Sequence, residues 1–293
     1  MSISKRHHYI PQFYLKGFTN NAGTFSIFDL RKGSLKNGLF FPKSHFFEYD
    51  RNTLDIDGVK TDFIEKGFQK LEDKTKSIFD ELQKANGHIE LDANRIFDLQ
   101  LFVLCTYWRI PWTDGELNKI LNSSNFNEYG FKLMNINTGE HCSNERVEEL
   151  LQTNGFVESL RTVMPILQFT KTKDNEDLEN WIVYYSGGQG VHITGDNPIV
   201  VRESTEKNLL SKELIMPLTK RQVLIRSKNK FITKTLDPVF AVKLDMLIFL
   251  QSTLYVCGQN AEYLTSISEF CKNTKQSAEE IKFALFQYLD QQI

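Results

Sequence analysis

Two adjacent histidines, His7 and His8, stand in the run Lys5-Arg-His-His-Tyr-Ile-Pro-Gln-Phe-Tyr-Leu-Lys-Gly-Phe18. An imidazole titrates near neutral pH and binds metals through a neutral ring nitrogen, so either is a candidate general base or metal ligand. On a strand the two rings would point to opposite faces, and only one could enter a given pocket. Pro11 forces Ile10 into an extended conformation and can open a helix from Gln12 to Phe18, which sets Gln12 beside the histidines at a strand-to-helix junction. The plainer alternative is a terminal segment pinned to the core by Tyr9, Phe13 and Phe18. Buried polar groups cost stability unless paired, so the two rings and Gln12 would then need hydrogen-bond partners.

Three other places could do chemistry. Gly195-Asp-Asn-Pro198 lies between two strand-like runs. As a turn, Asp196 and Asn197 would bond their own backbone; as a site, they would offer two hard oxygen ligands suited to Mg²⁺ or Mn²⁺. Arg109 ends an apolar run just before Pro111. A cation there complements a helix dipole, and it can also form a fork for phosphate or carboxylate. Lys220 to Lys234 carries Arg221, Arg226, Lys228 and Lys230 with no acidic residue between. That is either the solvated face of a hairpin or an edge that tracks nucleic-acid phosphates.

No phosphate loop, dinucleotide fingerprint or Gly-x-Ser-x-Gly elbow is present. Ser186-Gly-Gly-Gln-Gly190 is expected to be a hairpin turn. The net charge of −2 argues against a whole-protein grip on nucleic acid or anionic lipid. No stretch approaches the roughly 18 apolar residues of a membrane span, and the first residues lack the apolar core of a secretory signal. Cys105, Cys142, Cys257 and Cys271 are scattered without ligand spacing, which predicts reduced thiols, no zinc site and a cytoplasmic protein. The 23 phenylalanines predict an aromatic core.

The elements that must position these residues follow from periodicity. Strands are expected at Thr24 to Asp29, near Leu39 to Phe41, and at Phe46 to Tyr49. Ile64, Phe68, Leu71, Ile78 and Leu82 recur at helical spacing, predicting a helix over Thr61 to Asn86. Asp92 caps a second, more apolar helix from Ala93 to Arg109. Helices at Asn144 to Gln152 and Gly155 to Phe169 come next. Strands then run in series: Trp181 to Tyr185, Val191 to Thr194, Ile199 to Arg202, Leu214 to Met216, Gln222 to Arg226 and Lys230 to Thr233. A helix over Pro238 to Ser252, a strand at Tyr255 to Gly258 and a terminal helix behind the Ser277-Ala-Glu-Glu280 capping box complete the chain. Because strands come in runs, the fold class is α+β: a helix-rich middle between a short N-terminal β region and a larger antiparallel C-terminal one. Residues 1–293 are expected to form one domain, with a possible subdivision into 1–174 and 175–293.

The run from Lys5 to Phe18 resembles the N-terminal signature of domain-of-unknown-function family 4238. The order continues along the chain: Phe25 to Asp29, Trp108-Arg-Ile-Pro111, Thr194-Gly-Asp-Asn-Pro198 and Met216-Pro-Leu218 are each similar to a family segment. Leu244-Asp-Met246 departs from the Leu-Asn-Arg of that pattern. The resemblance implies a family and no activity.

Two uses of these residues are open. In the first, the protein is a metal-dependent phosphodiesterase or nuclease, such as a toxin or phage-defence effector. His7 or His8 is then the base, Asp196 and Asn197 hold Mg²⁺ or Mn²⁺, Arg109 steadies phosphate charge and the Arg221 to Lys230 edge guides the strand. His7-His8-x-x-Pro11 resembles the string of histidine-metal finger nucleases, but little chain precedes His7 to form the first half of such a finger. In the second, the protein is a non-enzymatic sensor whose N-terminal motif recognises a small molecule or a protein. Convergence of a histidine, Asp196 and Arg109 in an open cleft would favour catalysis; paired, buried histidines would favour binding.

Overall fold

In the computed structural model, residues 5–56, 59–85, 87, 89–122, 134–135, 138–143, 145–146, 149, 156–171, 175–186, 191–228 and 236–291 are described. The chain opens with β1 (Arg6–His8) and the short α1 (Gln12–Lys16). Strands β2 (Ser26–Asp29), β3 (Ser34–Leu35), β4 (Phe47–Tyr49), β5 (Leu54–Ile56) and β6 (Val59–Thr61) follow. The helical middle is α2 (Phe63–Lys84), α3 (Ala93–Arg109), α4 (Asp114–Asn122) and α5 (Phe156–Lys171). Next come β7 (Trp181–Tyr185), β8 (Thr194–Gly195), β9 (Val200–Val201), β10 (Leu214–Pro217) and β11 (Gln222–Arg226). The chain closes with α6 (Pro238–Gln251), β12 (Tyr255–Gly258), α7 (Ala261–Asn273) and α8 (Ala278–Asp290). The class is α+β, as expected. The expected helix at Asn144 to Gln152, the strand at Lys230 to Thr233 and the turn at Gly187 to Gly190 fall wholly or largely outside the described residues.

Two antiparallel four-stranded sheets organise the molecule, ordered β7-β11-β10-β9 and β3-β2-β12-β8. In the first, both faces are apolar. Val183, Leu214, Met216 and Leu224 face a cluster that includes α1, α3 and α5 residues, while Tyr184, Ile215, Val223 and Ile225 face a cluster built on α6 and α8. Side chains alternate across a strand, so a sheet covered on both sides needs continuous apolar runs. Leu214-Ile-Met216 and Val223-Leu-Ile225 are such runs. The first cluster draws from both sides of residue 175, from Tyr9 to Cys257. In the second sheet β12 lies between β2 and β8, with Cys257 opposite Ile27 on one side and Thr194 on the other.

Helix ends follow local chemistry. Asp92 accepts from Arg95 N–H, Asp237 from Val239 and Phe240, Asn260 from Glu262 and Tyr263, and Ser277 and Glu280 form the expected capping box. Each satisfies amides that a helix start leaves without an internal partner. Sequence periodicity missed α4 and α7. It also expected a strand at Leu39 to Phe41, where the structure has a single bridge from Phe40 to Phe25. Among the described residues no helix is long and apolar enough to cross a membrane. All four cysteines are free thiols, with Cys105 and Cys257 buried.

Candidate functional site

The N-terminal motif forms β1, which pairs with β4 so that His7 lies opposite Glu48 and His8 opposite Phe47. Strand alternation sends His7 fully inside and leaves Arg6 outside. β4 is bracketed by Phe46 (φ 61°) and Asp50 (φ 56°), a backbone region that a bulky residue rarely adopts. At Phe46 that conformation is held by a buried ring and by a carbonyl that accepts from Tyr9 N–H at 3.0 Å.

His7 Nδ1 accepts from the Asn52 amide at 2.9 Å. The Asn52 carboxamide donates to Glu65 at 2.8 Å. Glu65, Phe68 and Glu72 recur at i, i+3 and i+7 on α2 and share one helix face. Arg109, at the end of α3, lies across that face. Its guanidinium carbon is 4.7 Å from the Phe68 ring centre, with Glu65 at 3.3 Å and Glu72 in direct contact. Burial pushes the Glu72 carboxyl up, while Arg109 pulls it back down. Beside this group, Arg51 forms a two-pronged bond with Asp114 at 2.7 and 3.0 Å and donates to the Arg109 carbonyl at 3.1 Å. Arg161 reaches the same Asp114 at 3.1 Å.

His8 occupies the outer side of this charged core. Burial lowers its pKa to about 4, with the nearby Arg109 charge acting in the same direction. The Lys43 carbonyl pulls the other way without reaching hydrogen-bond geometry, and His8 Nε2 is buried with no hydrogen-bond partner in the protein. Gln12, exposed at the start of α1, places its carboxamide nitrogen 3.3 Å from His8 Nδ1. The ring packs 5.5 Å from Phe47, and the Arg6 guanidinium lies 5.0 Å from Phe47 and 5.9 Å from Tyr49. His7, His8, Gln12 and Arg109 are thus grouped around one charged core.

Asp196 does different work. Its carboxylate accepts from the main-chain amides of Thr253, Leu254 and Tyr255 at 3.1 to 3.2 Å and from the Thr253 hydroxyl at 2.7 Å. Asn197 exchanges contacts with Gln251, whose carboxamide donates to the Asn197 carbonyl at 2.6 Å. Both side chains are buried. Gly195 passes so close to Ser252 that a Cβ there would sit 2.1 Å from its hydroxyl. The segment therefore has the geometry of a tight turn that anchors the start of β12: the Asp196 oxygens expected to face a metal face amides instead, and the Asn197 carboxamide turns its nitrogen to the Gln251 carbonyl. Among the described residues no group of three or more His, Cys, Asp or Glu is placed to hold a metal ion.

The basic edge is also altered. Arg226, expected at a nucleic-acid face, is buried and donates to the Ser211 carbonyl at 3.1 Å. Inward-facing side chains of β11 are drawn into the two-sided core, and Arg226 goes with them. Arg221 is half-buried, Lys228 is exposed, and Lys230 lies outside the described residues.

Three of the quoted segments meet at one hydroxyl. Tyr14 OH, wholly buried, donates to the Pro217 carbonyl at 2.8 Å and lies 2.8 Å from Thr194 Oγ1. The N-terminal motif, the Thr194 turn and Met216-Pro-Leu218 are thereby pinned together. Sequence reasoning missed Arg51, Asn52, Glu65, Glu72, Asp114 and Arg161. The signal for two of them was available, since Glu65 and Glu72 are seven apart on a helix whose shared face also carries Phe68.

A family model described as "Protein of unknown function (DUF4238)" matches residues 6–262. No curated protein and no solved structure matches the chain.

Proposed function

This chain belongs to the DUF4238 family, and on that premise we propose that its N-terminal signature builds the recognition surface of a binding or sensor module, not the metal centre of a phosphodiesterase. One observation carries the reading: the ionic groups around the motif are matched within the protein. Arg109 is held by Glu65 and Glu72, and Arg51 and Arg161 by Asp114. A cation fixed in this way braces a structure and has little left to offer a phosphate.

What faces outward is a different set: Arg6 against Phe47 and Tyr49, with Gln12 and the edge of His8 beside them. Tyr49 is 64% exposed. Arginine and tyrosine on a rigid platform are characteristic anchors of protein interfaces. The ligand is therefore taken to be a protein partner. His8, held neutral down to about pH 4, contributes hydrogen bonding and ring contact without charge.

Calorimetry with Mn²⁺ and Mg²⁺ on wild type, His8→Ala and Asp196→Ala tests this directly. The expected result is no saturable heat with any of the three. Saturable binding that vanishes in both variants, each still folded, would overturn the reading in favour of a metal-dependent phosphodiesterase. In parallel, proteins captured by wild type and released by Arg6→Glu or Tyr49→Ala would identify the partner.

A further inference from the structure

Away from the signature, a second buried histidine belongs to a hydrogen-bond chain of another kind. Ser186, His192 and Asp245 are each at most 3% exposed. His192 Nδ1 lies 3.0 Å from Asp245 Oδ1, and its Nε2 contacts the Ser186 hydroxyl. A carboxylate can only accept, so the Asp245 contact places the ring proton on Nδ1 and leaves Nε2 to accept from Ser186. Asp245 is fixed in turn by the Tyr263 hydroxyl at 2.6 Å and the Ile193 amide at 3.3 Å. The main chain is held as well: the Ser186 amide donates to the Arg221 carbonyl, and the His192 amide to the Lys220 carbonyl, both at 2.8 Å.

Two of the three lie in the connection between β7 and β8, and the third lies in a helix. Ser186 follows the last residue of β7, His192 precedes β8, and Asp245 sits within α6 among Leu244, Met246, Leu247 and Ile248. A carboxylate in so apolar a helix needs partners, and this network supplies them. Lys220 and Arg221, which hold the main chain of the pair, also line an open cleft of about 860 Å³ with Asn20, Ser26, Gln259 and Asn260, while Ser186, His192 and Asp245 are buried and do not themselves line it. The first turn of α7, which supplies Tyr263, borders the same cleft through Ala261 and Glu262.

We propose that Ser186, His192 and Asp245 form an acyl-transfer centre, distinct from the signature surface, that acts on esters or amides of polar, anionic acids entering by this cleft. Ser186 is the nucleophile, His192 the general base and Asp245 its positioning residue. The order of contacts is what activation requires: hydroxyl to Nε2, then Nδ1–H to carboxylate. Ser186 Oγ bonds to the substrate carbonyl carbon as its proton passes to His192 Nε2. The bond from that carbon to the leaving oxygen or nitrogen then breaks, and His192 returns the proton to the leaving group. Water, deprotonated by His192, attacks the acyl-serine, releases the acid and restores the Ser186 hydroxyl. The cationic side chains of Lys220 and Arg221 favour an acyl group carrying negative charge.

The test is a fluorophosphonate probe added to the full-length chain, with the modified residue located by peptide mass spectrometry. The expected result is a single adduct on Ser186 that is absent in Ser186→Ala. In His192→Gln it should form about 10²- to 10⁴-fold more slowly, the range a positioned general base supplies. A folded wild type that takes no label, or takes it on another residue, overturns the proposal, so the outcome does not depend on the variants folding. The substrate class is read separately. Arg221→Ala should slow hydrolysis of an anionic p-nitrophenyl ester more than that of p-nitrophenyl acetate, and equal slowing of both would refute the assigned class.

Discussion

Among the described residues two buried histidine networks are organised in opposite ways. The His7 network is a web of alternating charge, from Asn52 through Glu65 and Arg109 to Glu72. It ends on a carboxylate that Arg109 neutralises. The His192 network is a line that starts at a carboxylate braced by Tyr263 and ends at a hydroxyl. A web whose ends are matched ion pairs resists deformation but offers no nucleophile to which a proton relay could connect. A line with a nucleophilic terminus does have one. The density of polar residues in a motif and its capacity for chemistry are therefore separate properties, and here the denser motif has the more structural geometry.

The comparison can be broken at three points. The largest effect is expected at Arg109. Arg109→Met leaves Glu65 and Glu72 facing each other without a cation, and loss of one partner from a buried pair costs about 3–5 kcal/mol. Urea unfolding measures this; a loss no larger than that of an ordinary surface substitution would mean the web is not a brace. Next is Asp196→Ala, which strips the shared acceptor from the amides of Thr253, Leu254 and Tyr255. Unsatisfied buried donors make the expected cost about 1–3 kcal/mol. An unchanged midpoint would count against the turn as an anchor.

At neutral pH the smallest effect is expected at His8, and it grows on acidification. The ring is held near 4 in the fold against 6.5 as its ordinary value. Between those values the unfolded chain binds the proton that the folded chain refuses, so stability rises as pH climbs from about 4 to 6.5. The contribution is complete above about 6.5 and is lost on acidification. His45, lowered to about 4 by burial and by Lys36, adds a slope of the same sign. His8→Gln should flatten its own share of the profile and leave that of His45. Identical profiles for wild type and His8→Gln would show that His8 titrates normally.

Much of the fold was legible because it rests on local patterns. Capping residues and apolar spacing located α2, α3, α6 and α8, and continuous apolar runs located β7, β10 and β11. The convergence of His7, His8, Gln12 and Arg109 was legible only as a set of candidates, since their grouping depends on where α3 crosses α2. Asp196 was misleading because a carboxylate aimed at amides and one aimed at a cation occupy the same turn in one dimension. Arg226 was misleading because a basic run does not reveal that the strand beside it is buried on both faces. Ser186, His192 and Asp245 gave almost no warning: the first two flank one short connection and carry no recognisable motif, and Asp245 lies 53 residues beyond His192, in α6. The one available sign was Asp245, an acid in the long apolar stretch from Phe240 to Leu250.

The position of β12 between β2 and β8 carries a consequence for how the chain is made. A ribosome releases β2 early, yet its partner β12 emerges only after the helical middle, every strand of the β7-β11-β10-β9 sheet and α6. Until then the side of β2 that will face β12 is an unpaired edge, the kind of template on which chains associate wrongly. Pairings this distant in sequence also form slowly. A message broken just before Tyr255 would leave a polypeptide with most of its helices and no means of closing that sheet. Its fate should be capture by quality control, not a shorter working protein.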